Sequence, residues 1–215
     1  SIVKYKIFML LFMVVGFLLS QENYFEKKEK KISELAETII IGETDSIRIT
    51  ANDSLKKILI NTINTPKSYL YKFDKIEYMS ILQPKDKRFK IFTWFLPYTN
   101  GTYEYFGVIQ QCNKRGRKCQ TYYLDKKTNL ENRNLNNTLE YSEWYGCLYY
   151  DIIESGIKKD RYYTLLGWDG HNQITTKKII DVLKIKKKQT PVFGADIFGN
   201  KHYRIVLEYS SKYPI

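Results

Sequence analysis

Histidine is nearly missing from this chain: among 215 residues there are two, His171 and His202. Any chemistry that needs an imidazole must therefore use one of these positions. Cysteine is almost as scarce, with Cys112, Cys119 and Cys147 alone. Three thiols do not complete a tetrahedral zinc site, and the six residues between the first two exceed the usual spacing of about two to four. Neither a Gly-x-Ser-x-Gly elbow nor a glycine-rich phosphate loop occurs, so the sequence signatures of serine hydrolases and nucleotide-binding loops are absent. Arginine supplies only seven of the 35 basic residues. That is a poor toolkit for the bidentate contacts with which proteins read phosphates and base edges.

What is present is an excess of lysine, isoleucine, asparagine and tyrosine. The formal net charge is +12. A chain rich in these residues and poor in Arg, Ala and Gly carries the composition of an AT-rich genome, which accounts for the charge without a polyanionic partner. Nucleic acid is therefore a weak expectation. A cationic surface held near anionic lipid or envelope polymer fits the composition better.

The first twenty residues read as a secretory signal peptide. Lys4 and Lys6 precede an unbroken apolar run from Ile7 to Leu19, and Ser20, Gln21 and Glu22 restore polarity. Thirteen apolar residues fall short of the ~20 that span a bilayer. Cleavage after Ser20 is the first reading, although Leu18 is larger than the usual small residue there. An uncleaved N-terminal membrane anchor is the alternative. No cysteine follows the run, so lipoprotein acylation has no thiol to use. In an oxidising compartment Cys112 and Cys119 are positioned to pair across the intervening turn, and Cys147 reads as a small buried apolar group.

Hydrophobic spacing divides the remainder into two parts. Residues 21–66 read as a helical hairpin, with one helix from about Asn23 to Ile41, a stop at Gly42, and a second from about Asp45 to Asn64 before Pro66. From 67 to 215 the period shortens to that of strands: Lys75–Leu82, Phe89–Leu96, Tyr103–Gln111, Gln120–Leu124, Glu143–Ile153, Arg161–Trp168, Lys177–Leu183 and Arg204–Tyr209. Asn100-Gly101 between apolar runs is a hairpin signal, and the Asn-rich stretch Lys126–Asn137 is a long loop. The expected fold class is α+β, an N-terminal helical hairpin followed by a mainly antiparallel β-sheet domain arranged as a meander. The last strand is either an edge blunted by Lys212 and Pro214 or the remnant of a lost terminal hairpin.

Four segments occur in order: Phe92-Thr93-Trp94-Phe95-Leu96-Pro97, Gly101-Thr102-Tyr103-Glu104-Tyr105-Phe106-Gly107, Trp144-Tyr145-Gly146, and Tyr162 through Trp168-Asp169-Gly170. Together, over roughly 70–209, they resemble a family of uncharacterised exported proteins from Bacteroidetes bacteria. The resemblance implies a signal peptide, a helical N-terminal part and a sheet-rich remainder that continues for another strand or two. It implies no activity.

Trp168-Asp169-Gly170-His171-Asn172 is the place to look for a site. Asp169 and His171 are the residues with the best claim to acid–base chemistry. Against this, Asp-Gly is ordinary turn composition, with Gly supplying positive φ. Only Asp169 and Asn172 offer the side-chain oxygens a calcium loop needs. Glu104, Glu143, Asp151 and Asp169 are acids beside aromatics, the neighbourhood of a glycosidase pair, while strand alternation puts such acids on solvated faces. A ligand face is conceivable from Trp168, Asn172, Tyr103 and Tyr105, while Trp94, Trp144 and Trp168 read as core.

The expectation is an exported periplasmic or envelope protein with a non-catalytic binding or structural role. No cofactor or metal is expected. Its partner would be an envelope polymer, a lipid surface or another envelope protein. A hydrolase acting on envelope material and a weak polyanion binder are the alternatives.

Overall fold

A computed structural model describes the backbone of residues 2–113, 115–124, 136–156, 161–186 and 189–212. Within the first helix it describes the side chains of residues 6, 7 and 23–41. The fold is α+β, two N-terminal helices followed by antiparallel sheets. Helix α1 (Ile2–Ile41) runs without interruption past Ser20. Among the described residues no helix is long and apolar enough to cross a membrane, and the side chains from Phe8 to Leu19 are not among those described.

α1 ends before Gly42, a position that needs glycine because a side chain there would fall 2.7 Å from the Thr38 carbonyl oxygen. Thr44 then caps α2 (Asp45–Ile63): its extended backbone lets Oγ1 accept the Ile47 N–H. The two helices bury Phe25, Ile32, Ala36 and Ile39 against Ala51, Leu55, Leu59 and Ile63. Tyr24 and Ile47, apolar residues at the start of each hairpin arm, are exposed, while Phe25 and Asn52 are buried. Asn52 is polar yet buried because its Oδ1 accepts the Trp94 indole N–H at 2.7 Å.

The first sheet is a meander of β1 (Ser80–Leu82), β2 (Phe89–Pro97), β3 (Tyr103–Gln111) and β4 (Gln120–Leu124). β1 is shorter than the expected Lys75–Leu82 strand, because Tyr78 has a φ of 61° and an extended run cannot pass through it. Asn100-Gly101 turns β2 into β3, with Gly101 at φ 82°. The β3–β4 connection is closed by a Cys112–Cys119 disulfide.

The second sheet contains β5 (Leu139–Glu140), β6 (Leu148–Ser155), β7 (Tyr162–Asp169), β8 (Thr175–Lys184), β9 (Val192–Phe193) and β10 (Ile205–Ser210). Its order departs from a simple meander. β5-β9-β8-β7-β6 form the path, and β10 pairs with β8 beside β9. β9 takes the Leu183–Lys184 end of β8 and β10 takes Thr175–Ile180. The expected start of a strand at Glu143 is corrected to Leu148. Residues 141–143 form a single 3₁₀ turn, and Gly146 has a φ of 81°. Positions 126–135 of the expected long loop, and Pro214, lie outside the described residues.

The result is three layers: helix pair, first sheet, second sheet. β2 is covered on both faces. Phe92, Trp94 and Leu96 pack toward the helices, whereas Phe89 and Ile91 join Tyr105, Trp144, Tyr149, Tyr163 and Leu165 between the sheets. Double coverage also buries Lys90, which is only 3% exposed. Its ammonium donates to the Tyr71 carbonyl oxygen and sits 5.5 Å from the ring centres of Tyr69 and Phe73.

Burial lowers the Lys90 pKa from 10.5 to about 8. The unfolded chain therefore holds a proton that the folded chain has released between those two values, so this lysine makes stability rise with pH across that window. Tyr69 and Tyr98 work the other way. Burial raises their pKa from 10.0 to about 12, so their contribution falls above about pH 10. Denaturation curves from pH 7.5 to 10 are expected to show the rise, and Lys90→Met is expected to flatten it. An unchanged slope in that variant would contradict the assignment.

Candidate functional site

The loop after β7 brings together most of the residues singled out from the sequence. Asp169 ends the strand, is largely buried, and uses Oδ1 to accept the His171 N–H at 2.8 Å. Asn172 Oδ1 accepts the N–H groups of Ile174 and Thr175 at 2.8 and 2.9 Å. Both side chains thus perform the backbone bonding of a turn. Positive φ falls on His171, at 54°, rather than on Gly170 as the sequence suggested. Gly170 is required for a different reason: a Cβ there would lie 2.5 Å from the Tyr103 ring and 2.8 Å from Trp168. Its N–H donates to the Tyr105 hydroxyl at 2.7 Å. Burial, aided by the nearby Asp169 carboxylate, pushes the Tyr105 phenol far above its ordinary value.

Of the four candidates for a ligand face, Tyr103, Tyr105 and Trp168 do meet. Each meets Phe95, and Tyr103 and Trp168 meet each other, with ring centres 5.4 to 6.3 Å apart. Tyr105 is buried, while Tyr103 and Trp168 are half-buried, so Trp168 is less enclosed than Trp94 and Trp144. His171 turns outward, with Nε2 3.7 Å from Glu208 on β10. Glu208 also accepts the Thr175 hydroxyl, and that bond, with Lys177 and His171 nearby, lowers its pKa.

The remaining acids are engaged separately. Glu104 accepts the Tyr98 hydroxyl at 2.6 Å, and Asp151 accepts its neighbour's N–H. Cys147 is buried beneath Gly167, where an added Cβ would lie 2.6 Å from its Sγ. Among the described residues no group of three or more His, Cys, Asp and Glu side chains is placed to hold a metal.

Two polar clusters escaped sequence reasoning. Asp181 and Arg204, both with fully buried side chains, face each other with Nε and Oδ1 3.3 Å apart. Tyr149 donates to Asp181 Oδ2 at 2.9 Å, and the Trp144 indole donates to Tyr149 at 3.1 Å. Burial drives the Asp181 pKa upward against the opposing pull of Arg204. In the sequence Asp181 alternates like a solvated strand residue, and nothing local announces its partner 23 positions on. The second cluster is an open groove of about 450 Å³ along α1, lined by Glu26, Glu34, Glu37 and Glu77 with Lys30 and Lys75. Helical spacing places the α1 acids together, but Glu77 arrives from an irregular segment that periodicity does not orient.

Comparison of the chain with family models, curated proteins and solved structures finds no match.

The arrangement at 168–172 is that of a pinned turn. Asp169→Ala is expected to lower the free energy of unfolding by about 1–3 kcal/mol, since it leaves buried donors without their acceptor. Gly170→Ala should cost a similar amount through the clash with Tyr103. His171→Gly should be neutral or stabilising by up to about 1 kcal/mol, because it relieves positive φ. Urea titrations check all three, and an Asp169→Ala variant as stable as its parent would overturn the pinned-turn reading.

Proposed function

We propose that the protein is exported to the periplasm or cell envelope and has a non-catalytic binding or structural role there, as a member of the exported family its aromatic-glycine segments resemble. What supports the location is the Cys112–Cys119 bridge, because disulfides persist in oxidising compartments and are rare in the cytosol. The single observation that carries the role is the state of the 168–172 loop. Asp169, one of the two residues with the best claim to chemistry, and its neighbour Asn172 are committed to the backbone of their own turn. A hydrolase built on Asp169 and His171 finds less support, because Asp169 is committed in this way and the His171 imidazole turns outward toward Glu208.

The partner in this reading is an envelope polymer, a lipid surface or another envelope protein. It would meet the cationic surface and the outer face of the second sheet, where Ile153 and Leu207 are each 48% exposed. No helix is seen to pack over that face among the described residues.

Fractionation of expressing cells combined with thiol alkylation tests the proposal. The expected result is recovery in periplasmic or envelope fractions with one alkylatable thiol, Cys147, after denaturation. A cytosolic chain with three reactive thiols would contradict it.

A further inference from the structure

The end of the first sheet away from the Asn100-Gly101 turn gathers cations. Arg115, Arg117 and Lys118 occupy the loop closed by the Cys112–Cys119 bridge, and all three are exposed. Asn113 fixes the backbone of that loop: its Oδ1 accepts the N–H groups of Arg115 and Arg117, which leaves the charged heads to solvent. The β2–β3 register pairs Phe89 with Gln111, so Arg88 comes opposite Cys112 with Lys87 next to it. Three of the seven arginines therefore share this end, a concentration that a lysine-favouring composition does not supply. Arg88 has the Asp86 carboxylate at 3.3 Å. Among the described residues no carboxylate pairs with Lys87, Arg115, Arg117 or Lys118. A guanidinium fork matches phosphate oxygens in a way a lone ammonium does not.

Two further features select lipid as the source of the phosphate. Gly116, between the two arginines, packs on the turn after α2, where an added Cβ would lie 3.0 Å from Leu70. Leu70 is itself 57% exposed beside the cations. An apolar side chain ringed by basic ones suits the boundary between headgroups and acyl chains, whereas a soluble polyanion has no use for it. The second feature is the path of α1. The Tyr24 hydroxyl lies 3.4 Å from Thr65 Oγ1, just past the end of α2. From that contact α1 continues without a break back to Ile2, in the direction away from Gly42. This stretch carries Ile7–Leu19, the longest apolar run in the sequence. The bilayer-seeking run and the cationic loop thus belong to one end of the molecule. We propose that this end rests on an anionic phospholipid bilayer, with Lys87, Arg115, Arg117 and Lys118 against lipid phosphates and Leu70 at the acyl boundary. The inference rests on the envelope reading above and names the surface that meets the lipid.

Flotation of the purified full chain with vesicles tests this, using phosphatidylcholine alone or an equimolar mixture with phosphatidylglycerol. The apolar run is present throughout and contributes equally to both lipids, so the charge-dependent difference is what the experiment reads. The expected preference for anionic vesicles is at least about tenfold and shrinks as salt is raised. Arg115→Gln combined with Arg117→Gln should weaken binding to anionic vesicles about tenfold or more and leave binding to neutral ones unchanged. Lys57→Gln combined with Lys212→Gln removes the same charge from exposed positions elsewhere and should change either by no more than about twofold. Circular dichroism and a single alkylatable thiol verify that both variants are folded with the bridge intact. Equal binding to the two lipids, an arginine variant that binds like the parent, or equal losses in the two double variants would overturn the proposal. So would capture by inorganic polyphosphate without a vesicle preference, which would assign the loop to a soluble polyanion. Envelope recovery without a vesicle preference defeats this inference alone, whereas cytosolic recovery defeats the reading beneath it as well.

Discussion

The second sheet depends on one buried ion pair. Asp181 sits in the middle of β8 and Arg204 immediately precedes β10, and neither side chain reaches solvent. Taking both charges out of water costs several kcal/mol each, so the pair relies on further bonds, although Arg204 Nη2 is left without a hydrogen-bond partner among the described residues. The Asp181 carboxylate also accepts from Tyr149 on β6 and from the Val182 N–H. Arg204 also reaches the Asn137 carbonyl oxygen, just before β5. One contact set therefore ties β6, β8, the approach to β5 and the start of β10. Gly194 completes the arrangement: its φ is 88°, and any Cβ there would fall 2.7 Å from Arg204 Nη2.

Around that pin the layers assemble by side-chain size. The seam between the sheets is aromatic, with Phe89 against Tyr163 at 4.8 Å and Phe95 against Trp168 at 5.4 Å. Rings of this size bury large areas and prefer edge or offset contacts, which fixes the spacing of the sheets more firmly than aliphatic packing would. A smaller polar clamp closes one end. Asp86, in the turn before β2, accepts the Tyr163 hydroxyl at 2.8 Å and lies 2.7 Å from Arg161. At the other end the pinned turn at Asp169–Asn172 rests on Tyr103 and Tyr105. The loop that looked chemically promising is part of this mechanical frame.

The strands with strict alternation and clear turns were legible. β2, β3, β4 and β7 fall within a residue or two of the spans read from periodicity, and so does the second helix; the first ends at Ile41 as expected but begins at Ile2 rather than about Asn23. Asn100-Gly101 announced its hairpin because few other residues take that backbone. The failures share a cause. Alternation assigns polar residues to solvent, and that assumption breaks where a strand is covered on both sides, as at Lys90, and where a charge faces the core with a buried partner, as at Asp181. Lys90 on β2 and Asp181 on β8 were therefore invisible as buried charges. β5 and β9 are two residues long and carry no periodic signal at all. At the candidate site, composition identified the turn correctly but placed the positive φ on Gly170, because it could not foresee the Tyr103 and Trp168 rings pressed against that glycine.

A double-mutant cycle on the buried pair tests the central claim most directly. Arg204→Met alone leaves an uncompensated carboxylate in the core and should cost about 3–5 kcal/mol. Asp181→Asn combined with Arg204→Met removes both charges, keeps an acceptor for Tyr149, and should cost clearly less than the sum of the single changes. Costs that simply add, or an Arg204→Met variant as stable as the parent, would show that the second sheet does not depend on this pair.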